Sequence, residues 1–176
     1  DAIPDQNPSF SCISWNIEGF NRSKSSLHHL FGQAPPDFVF LSEPLLFQCD
    51  LPQAMNLFRG EYSWTLHSED LLDAELPLTK NRAKGGTMAM WKKHLDQHVS
   101  ICTRGLSASF LPLIFAAPGL ETSIHITIYL PTAGKDIEFV EELAKLDDCI
   151  DNLTGEYPDA VLYIRGDSNV NKKDKN

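Results

Sequence analysis

Short apolar runs, each broken within a few residues by polar or turn-forming side chains, dominate this chain and limit what it can fold into. Phe10 to Trp15, Phe38 to Leu41, Tyr62 to Leu66, Thr87 to Trp91, Val99 to Thr103, Phe110 to Ala117, Thr122 to Leu130 and Ala160 to Ile164 all read as strands. Several, among them Phe38-Val39-Phe40-Leu41, are apolar at consecutive positions and need cover on both faces. Others alternate: Ile124, Ile126, Ile128 and Leu130 share one face, and His125, Thr127 and Tyr129 the other. Pro118-Gly119 sits between two runs and predicts a hairpin. Helices are fewer. Ser23 through Phe31 and Pro52 to Phe58 are short candidates, and Ser68 to Lys84 reads as a long polar loop. From Asp136, a capping residue, Phe139, Leu143, Leu146, Ile150 and Leu153 mark one helix face, with Gly155 as its close. More strands than helices, several covered on both faces, predict a layered α/β sandwich: two sheets face to face with helices outside.

Length and composition fit one domain across residues 1–176, able to bury a core, with 42% hydrophobic and 22% charged residues. No apolar run is long enough for a bilayer, and Phe110 to Ala117 carries Pro112, so no membrane partner is expected. The chain starts at Asp1 and is expected to be processed or cut from something longer. Cys12, Cys49, Cys102 and Cys149 are scattered without a Cys-x-x-Cys pair and read as reduced thiols in an intracellular setting, with disulfides the alternative that their even number leaves open. The formal net charge of -9 argues against a broad basic nucleic-acid surface. A nucleic-acid role would rest on a local patch or on bound cations. The densest basic cluster is Lys80, Arg82, Lys84, Lys92 and Lys93, and a second lies at Lys172, Lys173 and Lys175. Either cluster equally suits a solvated loop.

The chemistry concentrates at the end of the last run. Ala160 to Ile164 predict a strand buried on both faces that stops at Arg165-Gly166. Asp167 and Asn169, two apart, would point the same way from an extended strand end. An Asx turn after a core strand accounts for the same residues. Other runs also end on polar groups: Asn16 after Trp15, Glu43 after Leu41-Ser42, and Tyr129 before Leu130-Pro131. Each alone is an ordinary turn, loop or packing residue. Together they make a hard, oxygen-rich set of the kind magnesium favours.

In this order and at about this spacing, Trp15-Asn16, Leu41-Ser42-Glu43, Tyr129-Leu130-Pro131 and Gly166-Asp167-Ser168-Asn169 resemble the motifs of the endonuclease/exonuclease/phosphatase superfamily. Lys84-Gly85-Gly86-Thr87-Met88-Ala89-Met90-Trp91 and the polar loop before it look most like the endonuclease domain at the front of non-LTR retrotransposon polyproteins. The resemblance implies a four-layer α-β-β-α sandwich of two packed mixed sheets with outer helices, incomplete at the C-terminus. It also implies a metal-dependent phosphodiester hydrolase that nicks DNA. Glu43 would be the principal ligand of Mg2+ or Mn2+, with Asn16 beside it. Tyr129 would donate a hydrogen bond to a phosphoryl oxygen. Asp167 would activate the attacking water, and Asn169 would hold the phosphate. Lys80, Arg82 and Lys84 would meet DNA. A reverse transcriptase domain would share the polyprotein, in the nucleus. Ser168 and Ser42 depart from the family, which usually has an aromatic or apolar residue and often Gln there. Its final Ser-Asp-His motif has no counterpart, since no His follows His125. The chain is therefore expected to be the front portion of a longer domain, inactive alone. An inositol polyphosphate or phospholipid phosphohydrolase of the same fold, and a non-catalytic remnant or binding module, are the alternatives.

Overall fold

The computed structural model describes residues 9–58, 60–132 and 136–170. From β1 (Cys12–Asn16) the chain passes through α1 (Phe20–Gln33) into β2 (Phe38–Ser42). Then come α2 (Leu51–Met55), β3 (Tyr62–His67), a single helical turn α3 (Leu76–Thr79) and β4 (Thr87–Lys92). β5 (Val99–Ile101), β6 (Phe110–Phe115) and β7 (Ser123–Tyr129) lead to α4 (Asp136–Glu156) and β8 (Val161–Asp167).

The described strands form two four-stranded sheets, ordered β1-β2-β4-β3 and β5-β6-β7-β8. Each is mixed. β1 and β2 are parallel, as are β7 and β8, and the remaining neighbours are antiparallel. Parallel neighbours need a crossover long enough to return the chain, and α1 and α4 supply one in each sheet.

Side-chain alternation then builds three cores. In β2, Phe38 and Phe40 meet Leu111, Leu113 and Phe115 across the sheets, while Val39 and Leu41 turn outward to Leu27 of α1 and Leu51 of α2. In β7, Ile124, Ile126 and Ile128 turn outward to Leu146, Cys149 and Leu153 of α4. Three apolar seams between four layers make the α-β-β-α sandwich. They also explain why β6 is apolar at every position and β2 from Phe38 to Leu41: each face of these strands meets a different layer. Burying each such Phe or Leu is worth roughly 1.5–3 kcal/mol.

Several element limits differ from the sequence reading. β1 starts at Cys12, and Phe10 instead packs edge-on against Phe38 and Phe115. α1 begins at Phe20, where the N–H of Phe20 is taken by the Pro44 carbonyl. The helix expected over Pro52 to Phe58 is α2 followed by a 3-10 turn, Asn56–Phe58. The loop from Ser68 carries a 3-10 turn, Glu69–Leu71, as well as α3. Gly155 does not close α4, which runs to Glu156. The side chain of Asp136, with its expected capping role, lies outside the described residues, as do Lys172, Lys173 and Lys175.

β8 is the largest correction. It runs on through Arg165 and Gly166 to Asp167 because its register with β7 continues that far, pairing Ile128 with Gly166 and Tyr129 with Asp167. Nor is it buried on both faces. Among the described residues β8 is an edge strand, and Tyr163 and Ile164 remain 42% and 46% exposed.

Candidate functional site

Parallel pairing brings the C-terminal ends of β1 and β2 to one rim of the sandwich, and those of β7 and β8 to the same rim. Asn16 ends β1 opposite Ser42, which ends β2, and Tyr129 ends β7 opposite Asp167, which ends β8. The sheets are joined here by the Asn16 amide, whose Nδ2 donates to Asp167 Oδ2 at 3.0 Å. Its Oδ1 accepts the Glu18 N–H at 3.2 Å, so both ends of the carboxamide are fixed.

Glu43 follows β2 in a left-handed conformation, φ 57°, and Leu45 shares it at φ 56°. Such angles cost a non-glycine residue about 1 kcal/mol or more, and the surroundings must impose them. Backbone hydrogen bonds do so: Glu43 N–H to Gly86 O at 2.9 Å, Gly19 N–H to Glu43 O at 2.8 Å, and Leu45 N–H to Gly85 O at 3.2 Å. The turn places the Glu43 carboxylate in one cleft with the Tyr129 hydroxyl. Burial, then the charge of Glu43 and its hydrogen bond, then Asp167, push the Tyr129 phenol up to about 12. The phenol is thus a neutral donor at physiological pH.

Asp167 has both oxygens engaged: Oδ2 by Asn16, and Oδ1 by the Asn169 N–H at 2.9 Å. The second contact is an Asx turn. Asn169 is left-handed, φ 50°, rather than extended, and its Nδ2 donates to Leu130 O at 2.7 Å. The turn-forming reading of this pair is thus what the backbone shows, and the same carboxylate is the one that Asn16 reaches. Ser168 is exposed, so a polar residue is at ease there. Ser42 is 1% exposed, and its hydroxyl has no hydrogen-bond partner among the described residues.

Two hollows meet at Glu43, Leu45 and Arg82. One, about 430 Å³, also takes in Lys84, Ser109, Tyr129 and Glu142. The other, about 450 Å³, takes in Glu18, Asn21 and Arg22. Of the expected nucleic-acid contacts, Arg82 and Lys84 face this cleft, whereas Lys80 pairs with Glu69 at 3.6 Å. The basic cluster seen in sequence is split. Lys92 lies at the other end of β4, bound to Asp37 at 2.9 Å. Burial pushes the Asp37 carboxyl up, but the donors from Ser11 and Lys92 outweigh it and hold it below the ordinary value. Glu18, Arg22 and the Gly85-Gly86 pair were missed as site components. Only the double glycine carried a signal in the sequence.

His125 does not belong to the site. It lies between the sheets, stacked on Phe40 at 5.3 Å and Tyr163 at 5.0 Å. Among the described residues no group of three or more His, Cys, Asp or Glu side chains is placed to hold a metal ion. Magnesium does not require such a group, because it keeps most of its waters and takes one or two carboxylates plus phosphate. The Glu43 carboxylate, with the Asn16 and Asp167 oxygens nearby, has that chemistry.

The chain has the endonuclease/exonuclease/phosphatase fold. It is similar to zebrafish (D. rerio) TDP2 humanized by 14 mutations, with TM-score 0.61 and 19% identity over 93% of this chain and 67% of that one. The 3' phosphatase NExo from Neisseria, bound to product DNA hairpin, gives 0.66 and 15% over 94% and 60%. The human Nocturnin catalytic domain gives 0.62 and 15% over 97% and 68%. The chain thus spans about two thirds or less of these proteins' lengths. No protein-family model and no curated protein matches the sequence. Among the described residues no helix is long and apolar enough to cross a membrane.

Proposed function

We propose that this chain carries the metal- and water-activating half of a phosphodiester hydrolase that nicks DNA, the endonuclease of a retroelement polyprotein. The reading rests on one observation above all: Asn16, Glu43, Tyr129 and Asp167, spread over the whole sequence, meet at one rim, where Asn16 donates to Asp167 and Tyr129 lies in one cleft with Glu43.

Glu43, with Asn16 beside it, would hold Mg2+ or Mn2+, which when bound offsets phosphate charge in an otherwise acidic protein. Asp167, held by Asn16 and by the Asn169 N–H, accepts the proton of the attacking water as its oxygen bonds to phosphorus. The ester P–O bond breaks on the far side. The neutral Tyr129 phenol donates to a phosphoryl oxygen, and the Asn169 amide, steadied on Leu130 O, supports the charge that builds there. Arg82 and Lys84 guide the DNA backbone along the cleft. The partners are DNA and a reverse transcriptase domain of the same polyprotein, in the nucleus. That NExo, of similar fold, is bound to a DNA product supports the choice of substrate.

The test is relaxation of supercoiled plasmid by the domain joined to the rest of its reading frame. Nicking is expected with Mg2+ and not with EDTA. Asp167→Asn and Glu43→Gln are each expected to lose about 10²- to 10⁴-fold in rate while melting as the parent does. Near-normal nicking by either variant, or release of phosphate from inositol phosphates in place of nicking, overturns the proposal.

A further inference from the structure

We propose that Gly85 is a positioning residue for Tyr129, its missing side chain leaving the space in which the phenol reaches Glu43. The inference rests on the reading of Tyr129 as a hydrogen-bond donor in the site. A Cβ built on Gly85 would lie 2.8 Å from both Cδ1 and Cε1 of Tyr129, well inside the 3.5–4.0 Å of ordinary carbon contact. Gly85 also has φ +54°, and its neighbour Gly86 has φ +87°.

The backbone here is not free to yield. The Gly85 carbonyl accepts the Leu45 N–H at 3.2 Å, and the Gly86 carbonyl accepts the Glu43 N–H at 2.9 Å. A Cβ on Gly86 would be 3.1 Å from the His67 carbonyl oxygen, so the loop is hemmed in on that side too. The double glycine thus sets two things at once: the strained turn that presents Glu43, and the floor on which the Tyr129 ring lies. With the floor tied down, a side chain at position 85 displaces the ring, which swings on its own side-chain bonds. The phenol then leaves Glu43, and a misplacement of about 1 Å costs on the order of 10²-fold in rate.

The experiment uses this chain labelled with 3-fluorotyrosine and read by 19F NMR, the Tyr129 resonance being assigned by its loss in Tyr129→Phe. Gly85→Ala is expected to move that resonance and to leave those of Tyr62, Tyr157 and Tyr163 in place. Gly85→Asn separates contact from backbone strain, because Asn tolerates a positive φ yet carries a Cβ. It is expected to move the same resonance. If Gly85→Ala lowers the melting midpoint, the change should cost less in a Tyr129→Ala background, where the ring it strikes is gone. In plasmid nicking by the domain joined to the rest of its reading frame, both variants should lower kcat about ten- to hundred-fold and leave KM within about twofold.

A Tyr129 resonance unmoved by both variants, or an equal melting loss in both backgrounds, overturns the proposal. So does a displaced ring with kcat intact. A protein that never nicks DNA counts against the phosphodiesterase reading, while the fluorine spectra still decide the role of Gly85.

Discussion

His125 shows what one side chain's surroundings decide. It is 8% exposed, Arg165 lies against its Nδ1, and Ser123 Oγ meets its Nε2 at 2.8 Å. Burial first, and the Arg165 charge second, push its pKa down to about 4 from 6.5. A group depressed in the folded state binds protons more readily when unfolded, so its stability is fully present above 6.5 and is lost as pH falls toward 4. The slope is at most about 1.4 kcal/mol per pH unit. Urea midpoints should therefore fall between pH 7 and pH 4.5, and His125→Phe should flatten much of that fall. His67, also buried and depressed, adds to the fall, as do the lowered carboxyls of Asp37 and Glu142 toward its acid end. An unchanged acid limb in His125→Phe contradicts this account. At this scale the sequence displayed residue types well and their partners poorly. Glu43 and Asp167 stood out as carboxylates after apolar runs. The Asn16–Asp167 bond, across 151 positions, left no local trace.

Among the elements, β8 depends on a residue with no side chain. Gly166 has φ +122°, and a Cβ there would fall 2.0 Å from the Ile128 carbonyl oxygen, a backbone atom that cannot move without breaking the β7–β8 ladder. Gly166→Ala is expected to destabilise the chain by at least about 3 kcal/mol. Amide exchange at Ile128 and Tyr129 should accelerate with the loss of pairing. Gly32, in α1, has nothing within 4 Å of a built Cβ, and Gly32→Ala should instead stabilise by about 0.5–1 kcal/mol. Calorimetry on the pair checks both signs. Element type was readable where a period was long, as in Phe139 to Leu153. Element ends were not, because hydrogen bonds from distant chain set them: Pro44 O starts α1, and β7 carries β8 past Arg165.

On the scale of the whole molecule, β8 is the edge strand of its sheet among the described residues, with Ile164 46% exposed on it. Unpaired strand edges bearing apolar side chains invite pairing with another chain, and charged residues discourage it. Ile164→Lys is expected to reduce concentration-dependent light scattering while shifting the melting midpoint by no more than about 2 °C, a surface-sized effect. Equal scattering in the two proteins removes β8 as the route of association. The net charge of -9 is spread over a molecule whose cleft nevertheless holds Arg82 and Lys84, so the total says little about the local field.

By itself the sequence determined the layers. Alternation in β7 and unbroken apolar runs in β2 and β6 state how many faces each strand must bury, and burial is local chemistry summed along the chain. It also displayed the polar residues at the strand ends. Only the tertiary structure decided which of those ends share a rim and which do not. It drew Asn16 to Asp167, separated Lys92 from Lys84, and set Tyr129 on Gly85. The reason is that strand direction and register, fixed by the α1 and α4 crossovers and the packing of two sheets, are properties of contacts between distant segments rather than of any segment alone.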